Sequence, residues 1–91
     1  MIQIKDIYGK VLAEVDADSL EYALLNLMNL RYADFRGQDL SDADLSDSDL
    51  TGADLSGANL QWANLNGTVL DDAIIDPFTI MPDKTHRSFC F

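Results

Sequence analysis

Residues 43–67 read ADLSDSDLTGADLSGANLQWANLNG. Leucine recurs at 45, 50, 55, 60 and 65, and two places before each stands a small residue: Ala43, Ser48, Ala53, Ala58 and Ala63. The ladder continues outward through Leu40 and Phe35 to Leu30, and through Leu70 to Ile75 and Ile80. A period of five fits neither the α-helix nor the flat strand. It fits a chain that turns a corner every five residues and points two side chains inward on each side. Such a chain winds into a solenoid.

The unit is Ala-(Asp/Asn)-Leu-x-x, as in ADLSD at 43–47, ADLSG at 53–57, ANLQW at 58–62 and ANLNG at 63–67. It closely resembles the pentapeptide-repeat family. The resemblance covers roughly residues 31–75 and implies a right-handed, four-sided β-helix with twenty residues per coil. Leucine or phenylalanine would fill the axis with the small residue beside it, and the other three positions would face solvent. Stacked coils about 4.7–4.9 Å apart would satisfy each other's backbone groups. Small neighbours keep a leucine core from overfilling. Gln38 sits in a small inward slot and needs a hydrogen-bond partner if buried. Met28 and Phe78 are too large for that slot, so the regular repeat is expected to start after the first and stop before the second.

The expectation is one domain of mainly β structure, residues 1–91, with a solenoid of about two coils between two flanking parts. Residues 1–30 form an N-terminal α/β cap. Ile2 and Ile4, then Val11, Leu12 and Val15, flank Tyr8-Gly9-Lys10 as a hairpin. Asp18, with Glu21 three places on, opens a helix over about 19–29, whose apolar face is Leu20, Ala23, Leu24, Leu27 and Met28. Leu20, Leu25 and Leu30 also keep the five-residue phase, so two periods compete there. The helix would cover the open end of the solenoid at Phe35 and Leu40. Residues 76–91 form a C-terminal tail after Asp76-Pro77. Its aromatic residues Phe89 and Phe91 either fold over the solenoid end or make a homodimer surface. His86 and Cys90 carry no motif, and a single cysteine excludes an intrachain disulfide.

Charge gives the functional clue. Net charge is −10, and no lysine or arginine stands between Gly37 and Asp83. In the family's geometry Asp34, Asp39, Asp42, Asp44, Asp47, Asp49 and Asp54 would face outward, joined further on by Asp71 and Asp72. The slot before leucine favours Asp or Asn because that side chain bonds nearby backbone. Asp42 and Asp47 lie outside that slot. Trp62, the only tryptophan, falls two places after Leu60 and should point outward above Asp42.

Several function classes are disfavoured. There is no activated nucleophile, no acid–base pair and no phosphate-cradling glycine loop, so no enzyme is expected. DADLSDSDL at 42–50 lacks the glycine and glutamate of a calcium loop, so neither metal nor cofactor is expected. The basic residues sit only towards the two ends, which argues against direct nucleic-acid binding. No apolar run is long enough to span a membrane, and no signal peptide opens the chain. The expected location is the cytoplasm of a bacterial host cell.

What remains is binding to a basic protein. Some pentapeptide-repeat proteins are DNA mimics that occupy a topoisomerase's DNA site. Two and a quarter coils would be roughly 11 Å long, about three base pairs of duplex. That is short for a topoisomerase such as gyrase. It suits a basic cleft that reads a short duplex element, as CRISPR surveillance complexes do. In size and charge the chain is similar to small phage anti-CRISPR proteins. The leading expectation is therefore an acidic DNA-mimic inhibitor of phage anti-defence type. The alternatives are a topoisomerase-directed mimic and a structural or scaffolding repeat module.

Overall fold

A computed structural model describes residues 1–82. Its organising feature is a corner repeated every five residues. Each corner places one residue at positive φ: Tyr22, Leu27, Tyr32, Gly37, Asp42, Asp47, Gly52, Gly57, Trp62, Gly67 and Asp72. All but the Leu27 corner are closed by an N–H three residues past the leucine position donating to that residue's carbonyl, as Ala23 to Leu20 at 3.0 Å and Ala53 to Leu50 at 3.0 Å. A single left-handed residue in third place is the geometry of a type II turn. Four such corners bring the chain back over itself. Parallel bridges then join residues twenty apart, including Leu24 to Asp44, Asp34 to Asp54 and Asp44 to Asn64.

The axis is filled as the ladder requires. Phe35 and the leucines at 40, 45, 50, 55 and 60 are buried, with Ala33, Ala43, Ala53, Ala58 and Ala63 beside them. Ser48 is the buried polar exception among the small slots, and its hydroxyl donates to the Leu45 carbonyl at 2.6 Å. Thr68, one coil later, donates to the same carbonyl at 2.7 Å. The polar atoms in this column are therefore paired, as burial demands.

The expected helix over 19–29 does not form. Leu20, Leu25 and Leu30 are 1%, 2% and 0% exposed, whereas Leu24 and Leu27, the presumed helix face, are 78% and 75% exposed. The five-residue period wins because the next coil offers partners to every alternate backbone group. Leu25 N–H donates to Asp44 at 2.8 Å, and Asp44 N–H donates to Ala23 at 2.9 Å. An α-helix here would leave that sheet edge unpaired. The solenoid thus starts at Leu20 and makes about three coils. Met28 is accommodated at the margin of its inward slot, half-buried, with its carbonyl accepting from Asp49 N–H at 3.0 Å. Gln38 turns its side chain out and is exposed, so it needs no buried partner.

The cap is the hairpin alone. Strands β1 (Ile2–Lys5) and β2 (Val11–Val15) pair antiparallel, with Ile2 opposite Val15. Ile4 is buried against the first coil. The Lys5 carbonyl accepts from Asp34 N–H at 2.8 Å, and Ile7 N–H donates to Tyr32 at 2.8 Å. The hairpin therefore pairs with the coil edge that would otherwise be bare.

At the other end the repeat slips by one residue. Pro77 falls where the next left-handed corner is due, and its ring fixes φ at about −65°. The turn moves to Asp76–Thr79, closed by Thr79 N–H donating to Asp76 at 3.1 Å. Asn59 consequently bridges Ile80, twenty-one residues on. The Asp76 carboxylate accepts from Gly57 N–H at 3.0 Å, the role a backbone carbonyl plays at the other corners. Thr79 takes the inward small slot, with its hydroxyl 2.7 Å from the Leu55 carbonyl. Ile80 is therefore turned out of the ladder, and Met81 packs against the core instead. Phe78 is 77% exposed. Residues 83–91, including His86, Cys90 and the aromatic tail, lie outside the described residues.

Gly52 carries two constraints at once. Its φ is +70°, and a Cβ there would run into the Tyr32 ring stacked on it from the coil below. Gly52→Ala is expected to cost roughly 1–3 kcal/mol, more than backbone strain alone. A thermal melt checks this. Gly57, with φ +69° and only the Gly37 backbone within 4 Å of an added Cβ, is the control for strain without overlap.

Candidate acidic interaction surface

Outward side chains fall into columns along the coils because the path repeats every twenty residues. The slot before each leucine holds Asp34, Asp39, Asp44, Asp49, Asp54, Asn59 and Asn64. Each accepts through Oδ1 from the N–H two residues on, at 3.0–3.2 Å. These side chains build Asx turns that lead into the corners. Five of the ten expected site residues thus have a structural task as well. Asn performs it equally well at 59 and 64, so the fold requires an acceptor there but not a charge.

Hydroxyls strengthen several of these acceptors. The Ser41 hydroxyl bonded to Asp39 and the Ser46 hydroxyl bonded to Asp44, both at 2.6 Å, hold the two carboxyls below their ordinary range, and the backbone N–H of each serine adds to the effect. Thr51 does the same for Asp49. The Arg36 guanidinium lowers Asp34, and Asp76 is lowered first by the Gly57 N–H. A carboxyl depressed in the folded state contributes stability that is complete above its unfolded value. That contribution is lost as pH falls through the folded value. Stability is therefore expected to decline below about pH 4. The triple variant Asp39→Asn, Asp44→Asn, Asp49→Asn, which keeps each acceptor without a titrating group, should lose less on acidification. Melts at pH 7 and pH 3 make the comparison.

Cations divide the surface into two halves. Arg36 clasps Asp34 through Nε at 2.8 Å and a terminal nitrogen at 2.9 Å, and lies 3.9 Å from Asp54. Arg31 lies 4.0 Å from Asp49. Asp34, Asp49 and Asp54, all half-buried, are thus partly neutralised on two adjacent sides. On the other two sides, Asp39, Asp42, Asp44 and Asp47 run along the middle coil. Among the described residues no cation lies within 4.0 Å of any of them. Asp71 and Asp72 are exposed one coil later on the Asp49 side, apart from this row. The structure therefore gathers four of the ten expected residues into one uncompensated acidic row.

Asp42 and Asp47 differ from their neighbours. They occupy left-handed corners with φ of 59° and 58°, where glycine serves at 37, 52, 57 and 67. Neither makes a turn hydrogen bond through its side chain among the described residues. Trp62 sits in the same column as Asp42, one coil later, and is 54% exposed, as its phase requires. Trp62→Ala is expected to leave the melting temperature nearly unchanged. A partner seated on this row should lose roughly 2 kcal/mol or more. Tryptophan emission of the free protein, at a wavelength typical of a wet indole, checks the exposure.

Sequence reasoning missed Tyr22, Leu24 and Leu27, which are 66–78% exposed on the first coil directly below Asp42, Asp44 and Asp47. The signal was present, since the phase of Leu20, Leu25 and Leu30 places 22, 24 and 27 outward. Among the described residues no group of three or more His, Cys, Asp or Glu is arranged to hold a metal ion. No helix there is long and apolar enough to cross a membrane.

The pentapeptide repeat family matches this chain in eight copies, over residues 19–57, 29–67 and 53–75. The chain belongs to the pentapeptide repeat family. The fold of that family is a right-handed β-helix, which gives the hand of the coils described above. The match begins at residue 19, where the structure starts its first coil. Among solved structures, the chain is similar to the pentapeptide repeat protein Rfr23 from the cyanobacterium Cyanothece 51142, at 32% identity over 64% of this chain, with a TM-score of 0.32. It spans 43% of the length of that structure. No curated protein matches it. Members of the pentapeptide repeat family are generally non-enzymatic.

Proposed function

We propose that this pentapeptide repeat protein is a non-enzymatic DNA mimic that inhibits a DNA-binding protein or complex by occupying its basic DNA site. The observation that carries this reading is the row Asp39, Asp42, Asp44 and Asp47. Two of its members hold left-handed corners that glycine would occupy with less strain. Four acids in a row, with no cation within 4.0 Å among the described residues, repel one another. A surface needed only for solubility would mix both signs.

Three coils give a rod of roughly 14 Å, about four base pairs of duplex. That length favours a target that reads a short duplex element. A CRISPR surveillance complex blocked from its target DNA by a phage protein in the bacterial cytoplasm fits this better than a topoisomerase. Homodimerisation through the aromatic tail would double the acidic length. The rival reading, a scaffolding repeat module, is favoured by the structural use of the Asx-turn aspartates.

The two readings part on competition. Tagged protein captures its partner from a bacterial lysate, and mass spectrometry identifies it. A DNA mimic's partner should be released by excess short duplex DNA and by salt. A partner that stays bound under both treatments would favour the scaffold.

A further inference from the structure

The geometry points to a docking site for a cationic amphipathic helix of a partner protein, seated across the first two coils. Its floor is the apolar row Tyr22, Leu24 and Leu27 beside the acidic row Asp42, Asp44 and Asp47. The inference deepens the proposed function and rests on it in one respect, because both seat a cationic partner on the acidic row.

The apolar row is out of character for this repeat. Position 24 is the slot that holds Asp or Asn on every pentapeptide from 29 to 64. There Leu24 provides no Asx-turn acceptor and is 78% exposed. Position 27 is a left-handed corner, and Leu27 at φ 62° is 75% exposed. Tyr22 at φ 64° is 66% exposed. Bulky side chains in this region of backbone space are outliers, so the fold gains nothing from them at these positions. Burial does not explain them either.

Charge complementarity selects the occupant. Leu24 bridges Asp44 directly, and the Leu27 and Tyr22 N–H groups donate to Ser46 and Ser41 at 3.0 Å, beside Asp47 and Asp42. The two rows therefore run parallel about one strand spacing apart, roughly 4.8 Å. Side chains three or four apart on a helix have Cβ atoms about 5–6 Å from each other. A helix lying along the coils can set an aliphatic strip on the first row and lysine or arginine on the second. Duplex DNA offers phosphates but no such apolar row. The match is therefore to a partner whose cationic surface has an aliphatic strip along one side.

The test uses the full chain and two synthetic helical peptides of roughly five turns. Both carry the same Lys/Arg row; one has a leucine strip beside it and the other has serine there. Binding is read by anisotropy of labelled peptide at low salt and in 0.5 M NaCl. The leucine peptide should bind at least tenfold tighter than the serine peptide at high salt. The variant Leu24→Asn, Leu27→Asn should erase that difference without lowering the melting temperature, since Asn suits both slots. Asp42→Asn, Asp44→Asn, Asp47→Asn should weaken both peptides at low salt. Equal affinity for the two peptides would overturn the apolar row while leaving the acidic reading standing. A leucine preference that persists with no response to the Asp variants would overturn the cationic match, and with it the acidic reading. If Leu24→Asn, Leu27→Asn instead converts a sedimenting dimer to monomer, the occupant is a second copy and the proposal fails. A tenfold gain in peptide affinity from Phe89→Ser, Phe91→Ser would assign the site to the chain's own tail, with the same consequence.

Discussion

Leu50→Ala is expected to lower stability by on the order of 2–5 kcal/mol, a large fraction of what a domain of this size possesses. Leu50 is wholly buried at the middle of the axis, between the levels of Leu30 and Leu70. Its removal takes away transfer free energy and leaves a void, because the backbone around it is held by inter-coil hydrogen bonds such as Leu50 N–H to Val69 at 2.8 Å. Those bonds prevent the walls from collapsing inward. Leu55→Ala should behave alike, since Leu55 is equally buried. Leu65→Ala should cost less, because Leu65 is only partly buried near the last coil. In a domain of this length the first two changes should lower the melting temperature by on the order of 10–30 °C. An unchanged melt for Leu50→Ala would mean that the inward register is wrong.

The second large effect falls on binding. Asp42→Asn, Asp44→Asn, Asp47→Asn and Asp49→Asn together remove four charges while keeping side-chain shape. Asn is compatible with each position: it serves as Asx-turn acceptor at 59 and 64, and it tolerates the left-handed corners. The variant should therefore fold with stability close to the parent's at neutral pH, because relief of repulsion offsets the lost contribution of the depressed Asp44 and Asp49 carboxyls. Exposed charge contacts contribute about 0.5–1 kcal/mol each, so four of them correspond to on the order of 30–1000-fold in affinity. The loss should be largest at low salt and shrink as salt rises. Parent and variant are compared by titration against the captured partner. Full inhibition by the variant would remove the DNA-mimic reading. Reduced stability would show instead that the charges themselves serve the fold.

Most of the solenoid was legible because its signal is redundant. Phe35 and the leucines from 40 to 60 repeat one slot, and the small residues repeat another, so a single exception such as Ser48 does not hide the period. The first coil was misread where two periods overlap. Leu20, Ala23, Leu24, Leu27 and Met28 satisfy helical spacing, and only the inter-coil hydrogen bonds decide against it. Those bonds are long-range facts that no local window contains. The slip at Pro77 was foreseen as a break in regularity, but its form was not, because the substitution of the Asp76 carboxylate for a carbonyl depends on where Gly57 stands one coil away. Outward placement of Trp62 followed from phase, and that of the acids from the resemblance to the family. The segregation of the acids did not, because it depends on which aspartates Arg31 and Arg36 reach.

The one-residue slip at Asp76-Pro77 also shows where this repeat absorbs an insertion. Ile80 lies twenty-one residues on from Asn59, yet it bridges Asn59 as Ile74 bridges Asp54 and Asn64 bridges Asp44. The extra residue is taken up at the Asp76–Thr79 corner, and Thr79 and Met81 refill the inward slots. The corners are thus the elastic joints of the coil. A residue added there leaves the sides in step, whereas one added within a side would exchange its inward and outward positions.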